Sequence, residues 1–173
     1  QMVSQGQIKL HETINITVPT GNFGNILAGY YAKCMGLPVK QFICASNDNK
    51  VLFDFFSTGT YDRNRAFEVT VSPSMDILIS SNLERLICKM VGQEKTKDLM
   101  EALKQKGAYS IEADTSEFDG EYATEEETFS AIRDMYEKNH YVMDTHTAVA
   151  YASYEKYKRK TGDLTPTVII STA

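Results

Sequence analysis

The sequence has no tryptophan, and only three cysteines, three histidines and four prolines are spread over its 173 residues. Each scarcity excludes something. Cys34, Cys44 and Cys88 form no close pair, which favours free thiols over a disulfide framework. Each sits in an apolar context and reads as a buried free thiol in a reducing, cytoplasmic compartment. His11, His140 and His146 do not join them in any zinc-ligand spacing, so no metal site is expected. No apolar run approaches the ~20 residues a membrane helix needs, and no secretory signal is present. Positive charge is not in excess either: 18 Lys and Arg stand against 23 Asp and Glu, and the net charge of −5 argues against nucleic acid or an anionic membrane as partner. Repeats and low-complexity linkers are missing, and the length suits one core.

What is present is a strand–turn–helix–strand unit. Ile14 to Val18 is a short β-branched run. "PTGNFGN" follows it, and then Ile26, Leu27, Tyr30, Tyr31 and Cys34 recur at helical spacing. Ala28, Gly29 and Ala32 leave a second side of that helix free for close packing. Gly36 and Pro38 stop it, and "KQFICAS" reads as a second buried strand. Such units build parallel sheets with crossover helices. A helix is expected to end near Gly59, and a strand is expected at Phe67 to Val71. Ser81 and Glu84 have capping-box spacing ahead of a face made by Leu83, Leu86, Ile87 and Met90. A further helix spans about Glu94 to Lys106. Thr124 and Glu127 form a second capping-box pair, with Phe129, Ile132 and Tyr136 as the core face of the helix behind them. The last helix runs from about Thr145 to Lys160, and "TVIIST" is a final strand. The expected architecture is a three-layer α/β/α domain with a mostly parallel open sheet.

The turn is the first candidate site. The first N–H groups of a helix have no intrahelical acceptor, and the helix dipole adds partial positive charge. Gly21 and Gly24 let a backbone approach an anion without a Cβ in the way. Thr20 and Asn22 offer side-chain donors or caps. The turn holds neither Lys nor Arg, which suits a cradle of neutral amides. It matches neither the nucleotide P-loop nor the dinucleotide G-x-G-x-x-G spacing. On these residues alone, phosphate binding and a purely structural turn both stay open. Ala45 to Asn47 lie at the C-terminal end of the second strand, where open parallel sheets collect ligands; a turn or helix cap is the alternative there.

Taken together, "VPTGNFGNILAGYYAKCMGLPVKQFICASNDN", "YDRNRAFEVTVSPSMDILISSNLERL", "DTHTAVAYASY" and "VIISTA" closely resemble threonine synthases of the longer bacterial and fungal type. The resemblance runs over nearly the whole chain. It implies the fold type II of pyridoxal-phosphate enzymes, and conversion of O-phospho-L-homoserine and water to L-threonine and phosphate. It implies that Gly21, Asn22, Phe23, Gly24 and Asn25 hold the phosphate of pyridoxal phosphate, and that Thr172 of "STA" meets the pyridine nitrogen.

One departure is large. The family's Schiff-base lysine stands in a Phe-Lys-Asp motif upstream of the glycine turn, and this sequence has no such motif. Lys33, on the helix after the turn, is no substitute, so no catalytic residue is assigned. The sequence starts at Gln1 and stops within a strand-like run. Residues 1–173 are therefore expected to be a single partial domain, the C-terminal portion of the cofactor domain. The lysine-bearing region and a small domain would lie upstream. Alone it is expected to be inactive, and to expose a sheet edge capable of self-association. Another type II lyase or dehydratase is one alternative; a non-catalytic module binding a phosphate ligand is the other.

Overall fold

The computed structural model describes residues 2–171. Its order is β1 (Ile14–Pro19), α1 (Gly24–Cys34), β2 (Val39–Ser46), α2 (Val51–Thr58), β3 (Thr60–Asp62), α3 (Leu83–Val91), α4 (Gln93–Lys106), β4 (Ala108–Ser110), β5 (Phe118–Tyr122), α5 (Glu125–Asn139), α6 (Thr145–Thr161) and β6 (Thr167–Ile169). A short 3-10 turn, Pro73–Met75, interrupts the long connection between β3 and α3. Four strands form a sheet in the order β5-β2-β1-β6, every pair parallel, and β3 and β4 make a separate antiparallel pair. The expected α/β class and mostly parallel sheet are borne out.

Two helical layers cover the sheet. Ile14, Ile16 and Val18 of β1 alternate with Asn15 and Thr17, as a period of two requires, and all five are buried. The isoleucines and valine join Phe42, Cys44 and Phe118 in the main core, under α1, α2 and α3. Its centre is a set of rings: Phe118 lies 5.4 Å from Phe42, 5.3 Å from Phe56, 5.5 Å from Tyr30 and 5.9 Å from Phe23 between centroids. Gly29 and Gly120 let the helices come this close. A Cβ on Gly29 would stand 2.9 Å from the Phe42 ring, and one on Gly120 would stand 3.1 Å from the Phe53 backbone. The other face carries α6, through Val149 and Ala150 against Ala45, Ala123 and Met75.

Several expectations are corrected. Phe67 to Val71 form no strand: Phe67 and Val69 are exposed, and no neighbouring strand is there to pair with. Side chains take the ladder's place, Asn49 accepting from the Glu68 amide, Asp76 from Thr70 and Glu125 from Val71. The Ser81–Glu84 capping box does not form. Helix α3 starts at Leu83 with Asn82 as N-cap, and no side chain caps it. The Thr124–Glu127 box does form, each side chain bonded to the other's backbone N–H. Behind it, α5 buries Thr128 and Ala131 in place of Phe129 and Tyr136, which are exposed, while Ile132 is half-buried. The small residues face α6 because Ala148 and Met143 pack there at short range. On α1, Tyr31 and Cys34 are exposed, so the buried face is narrower than the spacing suggests. Of the three thiols only Cys44 is fully buried; Cys88 is half-buried. Strands β3, β4 and β5 have no counterpart in the sequence reading.

Candidate functional site

The site opens where β1 ends. Thr20 continues the strand's bonding by donating its N–H to the Ala45 carbonyl at 2.9 Å, and its hydroxyl donates back to Val18 O at 2.7 Å. The chain then reverses through Gly21, Asn22 and Phe23. Phe23 has φ 64°, a left-handed backbone that costs a non-glycine residue about 1 kcal/mol or more. Burial of its ring in the aromatic core, 1% exposed, offsets that cost. Phe23 thus serves the turn through its backbone and the fold through its side chain. Helix α1 begins at Gly24. Its N-cap residue supplies no side-chain cap, and its first turn holds no acidic residue.

A second segment seals the turn from the side. A Cβ on Gly21 would lie 2.5 Å from the Ser74 carbonyl oxygen, so only glycine lets these two backbones touch. Gly24 is different: the nearest atom to a Cβ there is Asn82 Nδ2, at 3.7 Å. The "SSN" before α3 grips the turn. Ser80 Oγ donates to Gly21 O at 2.7 Å, and Asn82 donates to Asn22 O through its amide N–H at 3.1 Å and its Nδ2 at 2.8 Å. On the far side, Ser74 N–H donates to His146 Nε2 at 3.2 Å.

These groups enclose a cavity of about 270 Å³, lined by Thr20 to Ile26 with Ser74, Met75, Asn82 and His146. Among the described residues no Asp, Glu, Lys or Arg lines it. Cys44, beneath Thr20, is no nucleophile, because burial pushes its thiol up to about 12 against a smaller lowering by the Thr20 hydroxyl. Lys33 pairs with Glu117 and does not line the cavity. The arrangement is a neutral cradle at the positive end of a helix, with no carboxylate among the described lining residues to oppose an anion. Among the described residues no group of three metal-ligating side chains occurs, and no helix is long and apolar enough to cross a membrane.

Gly21, Asn22, Phe23, Gly24 and Asn25 are therefore brought together on one cavity, while Thr172 lies outside the described residues. Asn47 takes no place on the cavity. It is buried, with Nδ2 within 3.0 Å of Thr70 Oγ1, Ser72 Oγ and Asp76 Oδ1. Asn49 Nδ2 donates to Glu68 O at 2.7 Å. The two asparagines clamp the segment 68–76 and so hold Ser74 beside Gly21. Sequence reasoning missed Ser74, Ser80, Asn82 and His146. Each stands in a stretch that carried the resemblance, but only the folded chain brings residues so far apart onto one turn.

No family model matches the chain. It is 44% identical over 181 residues to threonine synthase-like 1 of Homo sapiens, covering 99% of this chain and 24% of that protein. Over 190 residues it is 38% identical to threonine synthase of Schizosaccharomyces pombe, covering 94% of this chain and 37% of that one. A crystal structure of pyridoxal-phosphate-bound threonine synthase from Brucella melitensis superposes with a TM-score of 0.89 at 37% identity, over 99% of this chain and 38% of that chain. The chain spans about a quarter of the length of the threonine synthase-like 1 proteins it matches. Near-complete coverage of this chain at these identities, together with the overall superposition, shows that it belongs to the threonine synthase-like family.

Proposed function

We propose that this chain is the phosphate-cradle portion of a fold type II pyridoxal-phosphate enzyme. The whole protein would convert O-phospho-L-homoserine and water to L-threonine and phosphate. The observation that carries the reading is the uncapped N-terminus of α1, opening into a cavity without acidic groups and pressed on one side by backbone at Gly21. A phosphate dianion fits that site, because the helix N-terminus favours negative charge and no acidic side chain among the described lining residues opposes it.

Gly21 to Asn25 would hold the phosphate, and Thr172 would face the pyridine nitrogen with a neutral hydroxyl. When bound, pyridoxal phosphate supplies an electron sink that makes protons on the bound amino acid removable. This chain's own part is to bind and orient. Ser80 and Asn82 fix the carbonyls of Gly21 and Asn22, which holds the start of α1 against the cavity. No proton-transfer role is assigned to a residue of this chain. The reactive lysine and the smaller domain belong, on this reading, to sequence upstream of Gln1. Residues 1–173 form one partial domain that is inactive alone. The three free cysteines support a cytoplasmic location, and association through an edge of the sheet is part of the same proposal.

The test separates charge from bulk at Gly24. A Cβ fits there, so Gly24→Ala in the whole protein should keep pyridoxal-phosphate affinity within about threefold. Gly24→Asp puts a carboxylate beside the phosphate and should weaken it by about tenfold or more. Equal affinities for the two variants, read by equilibrium titration, would remove the turn from the cofactor site.

A further inference from the structure

His146 lies on the cavity wall yet makes no contact that cofactor binding by the turn requires. Its side chain is 13% exposed. Nε2 accepts the Ser74 N–H at 3.2 Å, which fixes the neutral ring with its hydrogen on Nδ1. Nδ1 lies 3.5 Å from Asp144 Oδ1 and has no hydrogen-bond partner of good geometry among the described residues. Asp144 is occupied elsewhere. As N-cap of α6 it accepts from Thr147 N at 2.9 Å and from Thr147 Oγ1 at 2.5 Å. Burial alone would raise its carboxyl, but these bonds and the His146 contacts outweigh that and hold it below its ordinary value. Thr147 Oγ1 is also 3.0 Å from Ser171 Oγ.

Two adjacent residues on the first turn of α6 therefore reach in two directions. His146 holds Ser74, whose carbonyl presses on Gly21. Thr147 holds Ser171, which precedes Thr172 in the sequence. We propose that His146 is a positioning residue, and that the first turn of α6 is a strut setting the spacing between the anion-binding turn and Ser171, just beyond β6. The inference rests on the cofactor reading above. The ring acts through its acceptor nitrogen: without it the Ser74 N–H loses its protein acceptor, and the exposed 73–74 stretch is free to lift from Gly21.

The test uses the whole protein and 4′-deoxypyridoxine 5′-phosphate, which keeps the ring and phosphate but has no aldehyde to react. His146→Phe preserves the ring's bulk and removes the acceptor; His146→Leu serves if the phenyl ring does not fit. His146→Gln places an amide oxygen near the Nε2 position. His146→Phe should weaken the probe about five- to tenfold, the size of one net hydrogen bond, and raise hydrogen exchange in the peptide containing Ser74. His146→Gln should restore both to within about twofold. If His146→Phe binds and exchanges like the parent, or if His146→Gln is as impaired as His146→Phe, the acceptor role is overturned. A parent protein that does not bind the probe, though exchange at Ser74 responds as expected, overturns the cofactor reading and with it the purpose assigned to the strut.

Discussion

The two faces of the central sheet are built from opposite materials. Toward α1 and α2 the strands present Phe42 and Phe118, and Phe23, Tyr30 and Phe56 close over them in one ring cluster. Toward α6 they present Ala45, with the polar Asn15 and Thr17 fully buried beside Val149, Ala150 and Ser153. The first face gains apolar contact area. The second gives up area for closeness, because alanines and short polar chains let a helix lie near the strands. The candidate site sits where the two meet, at the end of β1. Phe23 anchors the turn into the aromatic face, and His146 and Ser74 close it from the other. Rigidity comes from one side and adjustable polar contacts from the other.

Breaking the comparison should begin on the aromatic face. Phe118 touches four other rings and is 4% exposed, so Phe118→Ala would leave a void that no small shift of α1 or α2 fills. The expected loss is about 3–5 kcal/mol, read as a lower urea midpoint at an unchanged slope. It should also loosen the turn, since Phe23 packs on the same ring. A loss below about 1 kcal/mol would show that the aromatic cluster is not the main support.

On the polar face Asp163, at the entry to β6, is a densely bonded carboxylate. Its Oδ2 accepts from Asn15 Nδ2 at 3.0 Å and Tyr157 OH at 2.8 Å, and lies 3.0 Å from Lys40 Nζ; Oδ1 accepts from Thr165 N and Oγ1. Burial would raise this carboxyl, but those bonds outweigh it and hold it far below the usual carboxylate range. Asp163→Ala leaves the Asn15 amide without its partner and should cost about 2–3 kcal/mol. The sign with pH follows from the lowered value. Asp163's contribution is complete above the unfolded carboxylate value of about 3.9 and fades as pH falls below it toward the folded value. The parent should therefore lose stability relative to Asp163→Ala between about pH 4 and pH 2 in denaturation series. Parallel curves for the two proteins would show that the carboxylate contributes nothing.

Legibility in the sequence follows the same division. Helix α1 was readable because Ile26, Leu27 and Tyr30 repeat at its period, and the glycine turn because its residues are adjacent. Strand β5 was not readable. "FDGEY" carries Asp119 and Glu121, and what makes them tolerable in a sheet is Lys160, 39 residues beyond Glu121 and bonded to both. The α5 face differs from its sequence pattern because bulk does not decide burial there: Thr128 and Ala131 face a neighbour that admits only small residues. Phe67 to Val71 reads as a strand by its β-branched residues, yet its partners are the side chains of Asn47, Asn49, Asp76 and Glu125. In each failure the deciding contact is long-range in sequence.

The smallest effect is expected at Thr17, and it gives the finest comparison of the two faces. Thr17 is fully buried on β1, and its Oγ1 has no hydrogen-bond partner among the described residues. Its neighbour Asn15 differs, because Asn15 Nδ2 reaches Asp163. A buried hydroxyl without a partner carries its desolvation cost uncompensated, about 1–3 kcal/mol on mutational scales, and valine has the same branched shape. Thr17→Val should therefore be neutral or stabilise by up to about 1 kcal/mol, raising the urea midpoint slightly without altering the slope. Ile16→Val, one position away on the opposite face, should destabilise by about 0.5–1.5 kcal/mol, because there a methyl group is removed from close packing. The pair thus predicts opposite signs for two single-residue changes on neighbouring positions of one strand. If Thr17→Val destabilised as much as Ile16→Val, the hydroxyl would have a partner, and the polar face would be held together as fully as the aromatic one.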